Sequence, residues 1–205
     1  MCIRDSGYSK ALALRVTYVG ELGWELYIPS EFAQDLYDRL LEAGKEIGLK
    51  HAGMHALNSL RLEKAYRHWG HDITDEDTPL EAGLSFAVAW DKSGGFLGRE
   101  ALIRKKENGL LKKRMAQFAL ENPEPLLYHN EPIWFGNTIV GDTTSGMYGH
   151  SIGSCLGMGY IENPEGFNKE WIESHKFEIE VAGERYPAKA SLKAFYDPGN
   201  ARIRM

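Results

Sequence analysis

A glutamate close to two tyrosines is the clearest candidate for ligand chemistry in this chain. The stretch from Tyr18 to Tyr27 contains Glu25, and Gly20 and Gly23 bracket a turn within it. Such a set suits a flat, nitrogen-rich ring, because aromatic side chains can hold the ring while the carboxylate accepts its N–H groups. The alternative interpretation is a solvated glutamate on an exposed sheet face, since glutamate is seldom buried without a partner.

A β-hairpin would position these side chains. On both sides of the turn, apolar and polar residues alternate with the period of a half-buried strand. A four-residue loop bracketed by the two glycines places Tyr18 opposite Glu25 and Val16 opposite Tyr27. The predicted faces are a mostly apolar one suited to a core (Arg15, Thr17, Val19, Trp24, Leu26, Ile28) and a second one that carries the carboxylate (Leu14, Val16, Tyr18, Glu25, Tyr27).

Local signals predict further elements on either side of a polar, proline-bearing connection at 121–125. A helix begins at Pro29, with Ser30 as N-cap, and ends at Gly44 or Gly48. The other predicted elements are a helix over 53–66, a strand over 84–90, a helix over 98–108, a hairpin at 135–138 and a last hairpin over 177–194. Helices therefore dominate before the connection and short strands follow it.

The composition narrows the classes of function. The 205 residues carry a net charge of −5, with 43% hydrophobic and 26% charged residues, which is ordinary for a globular protein and disfavours nucleic acid as a partner. No apolar run approaches the roughly 20 residues of a membrane span. The two cysteines, Cys2 and Cys155, favour a reducing compartment, which we expect to be the cytoplasm or, in a eukaryote, the mitochondrial matrix.

Charged side chains later in the chain have two possible roles, which are ligand binding and ordinary surface or salt-bridge contacts. Arg61 either lies near a ligand or forms a salt bridge with Glu63 or another neighbour. The basic residues between 104 and 114 either attract an anionic tail or form a solvated face.

Metal binding is not predicted. The acidic stretch 72–77 lacks the glycine and the distal glutamate of a calcium loop, so we expect a solvated loop. Two histidine pairs have a spacing that metal ligands use, but no cysteine or third convergent ligand accompanies them in the sequence. These pairs are His68 with His71, and His51 with His55.

The hairpin and three later motifs resemble the folate-binding aminomethyltransferase family, to which the glycine-cleavage T-protein belongs. The motifs are Ser59-Leu60-Arg61-Leu62-Glu63-Lys64, Tyr66-Arg67-His68-Trp69-Gly70 and Pro79-Leu80-Glu81-Ala82-Gly83. The similarity extends from about Tyr8 to Arg204. It is closest to the C-terminal, tetrahydrofolate-binding half of FAD-linked dimethylglycine and sarcosine dehydrogenases and oxidases.

The resemblance implies an α+β fold in two parts. Residues 7–110 would be the C-terminal part of the folate-binding aminomethyltransferase domain, and residues 111–205 an antiparallel β-barrel domain. Residues 1–6 show no strand or helix pattern and resemble a sequencing-adaptor scar, so we expect the natural protein to extend upstream. The family's proposed catalytic aspartate and an FAD-binding fingerprint are both absent, and no catalytic residue is assigned.

The resemblance also implies a ligand site and a reaction. Glu25 would accept N–H groups of the pterin ring of tetrahydrofolate, and Phe86 would stack on the rings. The residues implied to bind this cofactor are Tyr18, Glu25, Leu26, Tyr27, Phe86 and Arg202. The reaction would transfer a one-carbon unit from an N-methyl-derived iminium to tetrahydrofolate, with FAD in an N-terminal domain of the parent enzyme. Its partners would be tetrahydrofolate and a small N-methylated amine, without nucleic acid or membrane.

Two related functions remain open. One is a stand-alone glycine-cleavage aminomethyltransferase; Leu57 stands where the T-protein carries an arginine, which favours the dehydrogenase branch instead. The other is a non-catalytic regulatory module of the same fold. The presence of Tyr18, Glu25 and Phe86 argues against that module.

Overall fold

The structure, a computed structural model, describes residues 2–6 and 8–204, which divide into two compact units. One unit contains the residues up to Leu60 together with the segment from Gly199 onward, and the other runs from Arg61 to Pro198. A three-stranded antiparallel sheet forms the centre of the first unit, and a closed six-stranded barrel forms the centre of the second. The α+β class and the C-terminal barrel are confirmed.

The sheet of the first unit has the order β1 (Cys2–Ser6), β2 (Ser9–Leu14) and β3 (Glu25–Tyr27). Burial alternates along β2, where Ser9, Ala11 and Ala13 are buried, because successive side chains of a strand point to opposite faces. The prediction that residues 1–6 form no strand is wrong for β1, which pairs with β2 along its whole length.

The register between β2 and β3 differs from the predicted hairpin. Leu14 faces Glu25 and Leu12 faces Tyr27, four residues away from the predicted partners of these two residues on β3. The chain leaves β2 early because the Thr17 hydroxyl accepts hydrogen bonds from the backbone N–H groups of Val19 and Gly20, both at 3.2 Å. Such local hydrogen bonds compete with the sheet ladder.

A helical segment follows the sheet in the first unit. A 3₁₀ turn over Ser30–Phe32 leads into α1 (Ala33–Gly44), so Ser30 belongs to the first turn and is not the predicted N-cap. The helix ends at Gly44, as one of the two predictions had it. A Cβ at this glycine would lie 2.4 Å from Leu49 Cβ, and the Leu49 N–H donates to the Gly44 carbonyl at 2.9 Å, so the returning chain needs a bare backbone here.

Helix α2 (Met54–Glu63) ends three residues before the predicted boundary. Ala65 has a φ of 52°, and the Tyr66 N–H donates to the Arg61 carbonyl at 2.9 Å while the Ala65 N–H donates to the Leu62 carbonyl at 2.9 Å. These two bonds form a Schellman motif, which satisfies the last carbonyls of a helix. An alanine therefore occupies the left-handed position that glycine usually fills.

The predicted strand over 84–90 is wrong. The chain forms a single 3₁₀ turn at Ser85–Ala87 instead, stabilised by the Trp90 indole N–H, which donates to the Ser85 carbonyl at 3.1 Å. Helix α3 (Arg99–Glu107) then ends before Gly109, as predicted.

The barrel contains six strands and one short helix. The strands are β4 (Leu111–Leu120), β5 (Pro132–Phe135), β6 (Thr138–Gly149), β7 (Ser154–Phe167), β8 (Phe177–Val181) and β9 (Glu184–Ser191), with α4 (Lys169–Ser174) between β7 and β8. Around the barrel the strands follow the order β4-β7-β6-β5-β8-β9. Both predicted hairpins are confirmed, with two-residue turns between paired Phe135 and Thr138 and between paired Val181 and Glu184.

Alternate residues of β4 enter two different cores. Phe118 and Leu120 pack into the larger cluster with strands β7 and β8, whereas Met115 and Ala119 pack with Leu62 at the end of α2. The period-2 alternation of the strand produces this division. Within the described residues, none of the helices combines the length and the apolar character needed to cross a membrane.

Candidate functional site

Strand β3 presents the predicted carboxylate and phenol on one face. Glu25 and Tyr27 are two residues apart, and the Tyr27 hydroxyl donates to Glu25 Oε2 at 2.7 Å. Their cross-strand neighbours on β2 are Leu14 and Leu12, which are half-buried. Since residues opposite each other in an antiparallel pair share a face, the phenol and the carboxylate lie beside a small apolar surface that Leu12 and Leu14 form.

Glu25 carries the negative charge of β3. Its side chain is exposed and Tyr27 is 52% exposed, so both groups are open to a ligand from solvent. The hydrogen bond to the carboxylate and then its negative charge raise the pKa of the Tyr27 phenol, which therefore stays protonated as a donor. Glu25 Oε1 makes no hydrogen bond to any of the described residues, so it is available to accept from a ligand.

The other predicted ligand residues of the first unit occupy different elements. Leu26 is on β3 but on the opposite face from Glu25, and it is 40% exposed. Tyr18 is half-buried in the connection between β2 and β3, so Leu14 takes the place opposite Glu25 that was predicted for Tyr18. Arg202 begins a 3₁₀ turn (Arg202–Arg204) in the C-terminal segment of the same unit.

Phe86 belongs to the other unit. It sits at the centre of the 3₁₀ turn Ser85–Ala87, and its side chain is 84% exposed. The structure therefore brings Glu25, Leu26 and Tyr27 together on one strand, while the predicted stacking role of Phe86 stays a prediction.

Arg61 belongs to a buried polar network in the second unit. Its guanidinium lies 2.6 Å from Asp72 Oδ2, and it also donates to the Ser145 hydroxyl at 2.8 Å and to the Tyr66 carbonyl at 3.1 Å. The side chains of Arg61 and Asp72 are 5% and 0% exposed. Of the two interpretations of Arg61, the salt bridge is confirmed, but its partner is Asp72 and not Glu63.

Asp72 contradicts the expectation of a solvated acidic loop. Besides Arg61, its carboxylate accepts from the hydroxyls of Thr144 and Ser145, each at 2.6 Å, and from the backbone N–H of His68 at 2.8 Å. This network joins the segment after α2 to strand β6. No signal in the sequence identified Asp72, because its partners lie up to 73 positions away.

Glu63 and Lys64, the last two residues of the α2 motif, also have structural partners. The Glu63 carboxylate accepts from the Ser151 backbone N–H at 2.6 Å and from its hydroxyl at 2.8 Å. Lys64 is 3.1 Å from Asp197 Oδ2, with its side chain 1% exposed. The charged residues of the Leu-Arg-Leu-Glu-Lys run therefore connect the end of α2 to strand β6 and to loops around the barrel.

The basic residues between 104 and 114 also have specific partners. Lys105 pairs with Glu81 at 2.6 Å and Lys113 with Asp77 at 2.8 Å, while Arg114 donates to the Leu80 carbonyl. These contacts favour neither an anion-attracting cluster nor a purely solvated face for the three residues.

Histidine rings meet in a way that the sequence did not predict. His71 makes edge contacts with both His68 and His129, with ring centroids 6.1 and 5.6 Å apart. In the other histidine pair, the Nε2 atom of His51 lies 2.8 Å from the Tyr37 hydroxyl. Among residues 2–6 and 8–204, no three His, Cys, Asp or Glu side chains are arranged so as to hold a metal ion.

Sequence comparison identifies two known domains in the chain. The GCVT N-terminal domain matches residues 3–92, and the glycine cleavage T-protein C-terminal barrel domain matches residues 113–197. The second match coincides with strands β4 to β9, which supports the assignment of the barrel.

Curated relatives are much longer than this chain. It is 44% identical to a 4-methylaminobutanoate oxidase (formaldehyde-forming) of Paenarthrobacter nicotinovorans over 95% of this chain and 23% of the relative. It is 38% identical to the mitochondrial sarcosine dehydrogenase of Homo sapiens over 94% of this chain and 21% of the relative. The chain thus spans about a fifth of the length of these relatives.

A solved structure has the same fold. The glycine cleavage system aminomethyltransferase T of Bartonella henselae aligns with a TM-score of 0.75, at 24% identity, over 91% of this chain and 49% of that chain. At this identity the likeness concerns the fold alone.

Proposed function

Because the chain belongs to the glycine-cleavage T-protein family, we propose that the face of β2 and β3 with Glu25 and Tyr27 binds the pterin ring of tetrahydrofolate. The bound cofactor would accept a one-carbon unit and become 5,10-methylenetetrahydrofolate. A single observation carries this proposal. The exposed Glu25 carboxylate accepts a hydrogen bond from the Tyr27 hydroxyl at Oε2, at 2.7 Å, and it lies beside two half-buried leucines.

The chemistry of this face fits a pterin. The ring presents neighbouring N–H groups along one edge, and a carboxylate can accept two such bonds. The Tyr27 hydrogen bond restricts the rotation of the carboxylate, so less conformational entropy is lost on binding. Leu12 and Leu14 supply apolar area for the flat ring. Charge-assisted hydrogen bonds of this kind contribute about 1.5–3 kcal/mol each.

We further propose that the parent protein is an FAD-dependent dehydrogenase or oxidase of the dimethylglycine and sarcosine type. The names of the two relatives support it, since both describe oxidation of N-methylated amines. Oxidation of an N-methyl group gives an iminium, and water would release its carbon as formaldehyde. Transfer to the N5 and N10 amines of tetrahydrofolate would intercept that carbon, which requires positioning and exclusion of water.

The two alternative functions differ in whether they need the Glu25 carboxylate. A stand-alone aminomethyltransferase would also bind tetrahydrofolate through Glu25, whereas a regulatory module would not need the carboxylate. The cytoplasm or the mitochondrial matrix remains the expected compartment.

Calorimetric titration of the 205-residue chain with tetrahydrofolate tests the proposal. We expect Glu25→Gln to weaken binding by one to two powers of ten, since about 1.4 kcal/mol corresponds to a factor of ten. The matched control is Glu31→Gln, because Glu31 is an exposed glutamate of the same unit outside the sheet. Equal affinities of wild type and Glu25→Gln, or an equal loss in Glu31→Gln, would remove Glu25 from the site.

A further inference from the structure

A cleft of about 670 Å³ opens on the barrel between the β5–β6 hairpin, β7 and helix α4. Its aromatic lining comes from Phe135, Tyr160 and Trp171, and its acidic lining from Asp142 and Glu162. The volume lies within the range of roughly 300–1,000 Å³ that small-molecule sites occupy. All of these residues belong to the second unit, whereas Glu25 belongs to the first.

Two β-bulges shape the cleft. Val140 is the extra residue where β6 pairs with β5, and Thr144 is the extra residue where β6 pairs with β7. Both bulged residues line the cleft. Bulges bend a strand and redirect its side chains, and they occur often beside binding sites.

The free charge of the cleft is negative. Among the described residues that line it, Lys113 is the one cation, and it is neutralised by Asp77, whose Oδ1 is 2.8 Å from the ammonium. Asp142 and Glu162 are both exposed, and neither carboxylate has a hydrogen-bond or ion-pair partner in the part of the chain that the structure describes. Asp142 faces Tyr160 across the β6–β7 pair, and Glu162 lies two residues further along the same face of β7.

The three lining aromatics, Phe135, Tyr160 and Trp171, form an aromatic wall that already contacts one cation. The Lys113 ammonium lies 4.3 Å from the centroid of the Tyr160 ring, which is a cation–π contact. Burial, and then the charge of Asp77, raises the pKa of the Tyr160 phenol, so the ring stays neutral. Phe135 and Trp171 extend the wall, with ring centroids 5.2 Å apart.

We propose that this cleft binds a small methylated ammonium cation. Its charge would face Asp142 and Glu162, and its methyl groups would contact the aromatic wall. Aromatic side chains combined with carboxylates recognise quaternary and methylated ammonium groups, because the ring face attracts the cation and the apolar ring surface accepts the methyl groups. The inference rests on residues of the second unit alone and not on the proposed folate binding.

Titration of the ¹⁵N-labelled 205-residue chain, followed by NMR, tests this site with a charged probe and its neutral isostere. The probes are choline and 3,3-dimethylbutan-1-ol, which has the same shape without the charge. We expect saturable shifts for choline that are concentrated at 138–144 and 160–164, and at least fivefold weaker binding of the alcohol. Equal binding of the two probes, shifts elsewhere in the chain, or no saturable shift would overturn the proposal.

Matched variants separate the site from general electrostatics. The double variant Asp142→Asn/Glu162→Gln should weaken choline binding at least fivefold, and it should keep a native spectrum because both residues are exposed. Glu165→Gln is the control, since Glu165 is an exposed glutamate of β7 that does not line the cleft. An unchanged affinity in the double variant, or the same loss in Glu165→Gln, would refute the assignment.

Discussion

Removing one partner of the buried pair Arg61–Asp72 should strongly destabilise the barrel unit. Replacing Asp72 by asparagine keeps the shape of the side chain but removes the negative charge that faces the Arg61 guanidinium at 2.6 Å. The arginine is then left as a buried charge whose partners, among them the Ser145 hydroxyl and the Tyr66 carbonyl, are all neutral. Its Nε already has no hydrogen-bond partner in the described structure.

The expected cost follows from this geometry. Breaking a buried ion pair by removing one partner typically costs about 3–5 kcal/mol, because the remaining charge is not compensated. We therefore expect Asp72→Asn to lower the free energy of unfolding by that amount at pH 7. Removing the arginine as well, in Arg61→Met/Asp72→Asn, should restore at least about 1 kcal/mol, since the uncompensated charge is gone.

Urea unfolding followed by tryptophan fluorescence measures these changes. Four of the five tryptophans, all except Trp24, lie in the barrel unit, so the signal reports on that unit. The control is Glu173→Gln, which removes an exposed pair with Lys169 at 3.5 Å and should cost less than about 0.5 kcal/mol. A loss below about 1 kcal/mol in Asp72→Asn, or a double variant no more stable than Asp72→Asn, would refute the reasoning.

Three further predictions concern the barrel unit. Ala182→Asn should stabilise it by up to about 1 kcal/mol in urea unfolding. Ala182 is exposed in the β8–β9 turn with a φ of 52°, a left-handed conformation that asparagine adopts more readily than alanine. A destabilised variant would contradict this prediction. Gly141→Ala should destabilise it by about 1–3 kcal/mol, since a Cβ there would lie 1.9 Å from the Tyr160 carbonyl oxygen. Gly94→Ala, with nothing within 4 Å, is the control, and equal effects of the two variants would refute the argument. Burial opposes ionisation of Asp77, but hydrogen bonds from Lys113 and Thr74 outweigh it and lower its pKa below the usual 3.8. Its contribution to stability is therefore present above that value and lost as the pH falls below it, so the fall in stability between pH 5 and 3 should be smaller in Asp77→Asn, and equal falls would contradict this.

Local chemistry explains which parts of the fold could be predicted from sequence. The Gly136-Asn137 turn, the hairpin of β8 and β9, and the end of α1 at Gly44, which was one of two predicted ends, depend on neighbouring residues, and the sequence predicts them. The strand predicted over 84–90 does not form, because the Trp90 indole N–H donates to the Ser85 carbonyl and stabilises a local turn that an alternating pattern does not predict.

The candidate site was predicted in part. The faces of β3 are as predicted although its register is displaced by four residues, since an even displacement leaves each side chain on its original face. The early end of β2 depends on the Thr17 hydroxyl, which an alternation pattern does not reveal. Asp72 could not be found, because its role arises from partners on β6 that only the folded chain brings near.

The closure of the barrel has a consequence for the order of folding during synthesis. β4 pairs with β7 on one side and with β9 on the other, and the latter pairing joins Gln117 to Ser191. A ribosome-bound chain that ends before β9 therefore exposes one unpaired edge of β4 and another of β8. Such edges recruit strands from other chains. Late pairing across a long loop also slows folding, so the nascent barrel should depend on chaperones until its last strand emerges.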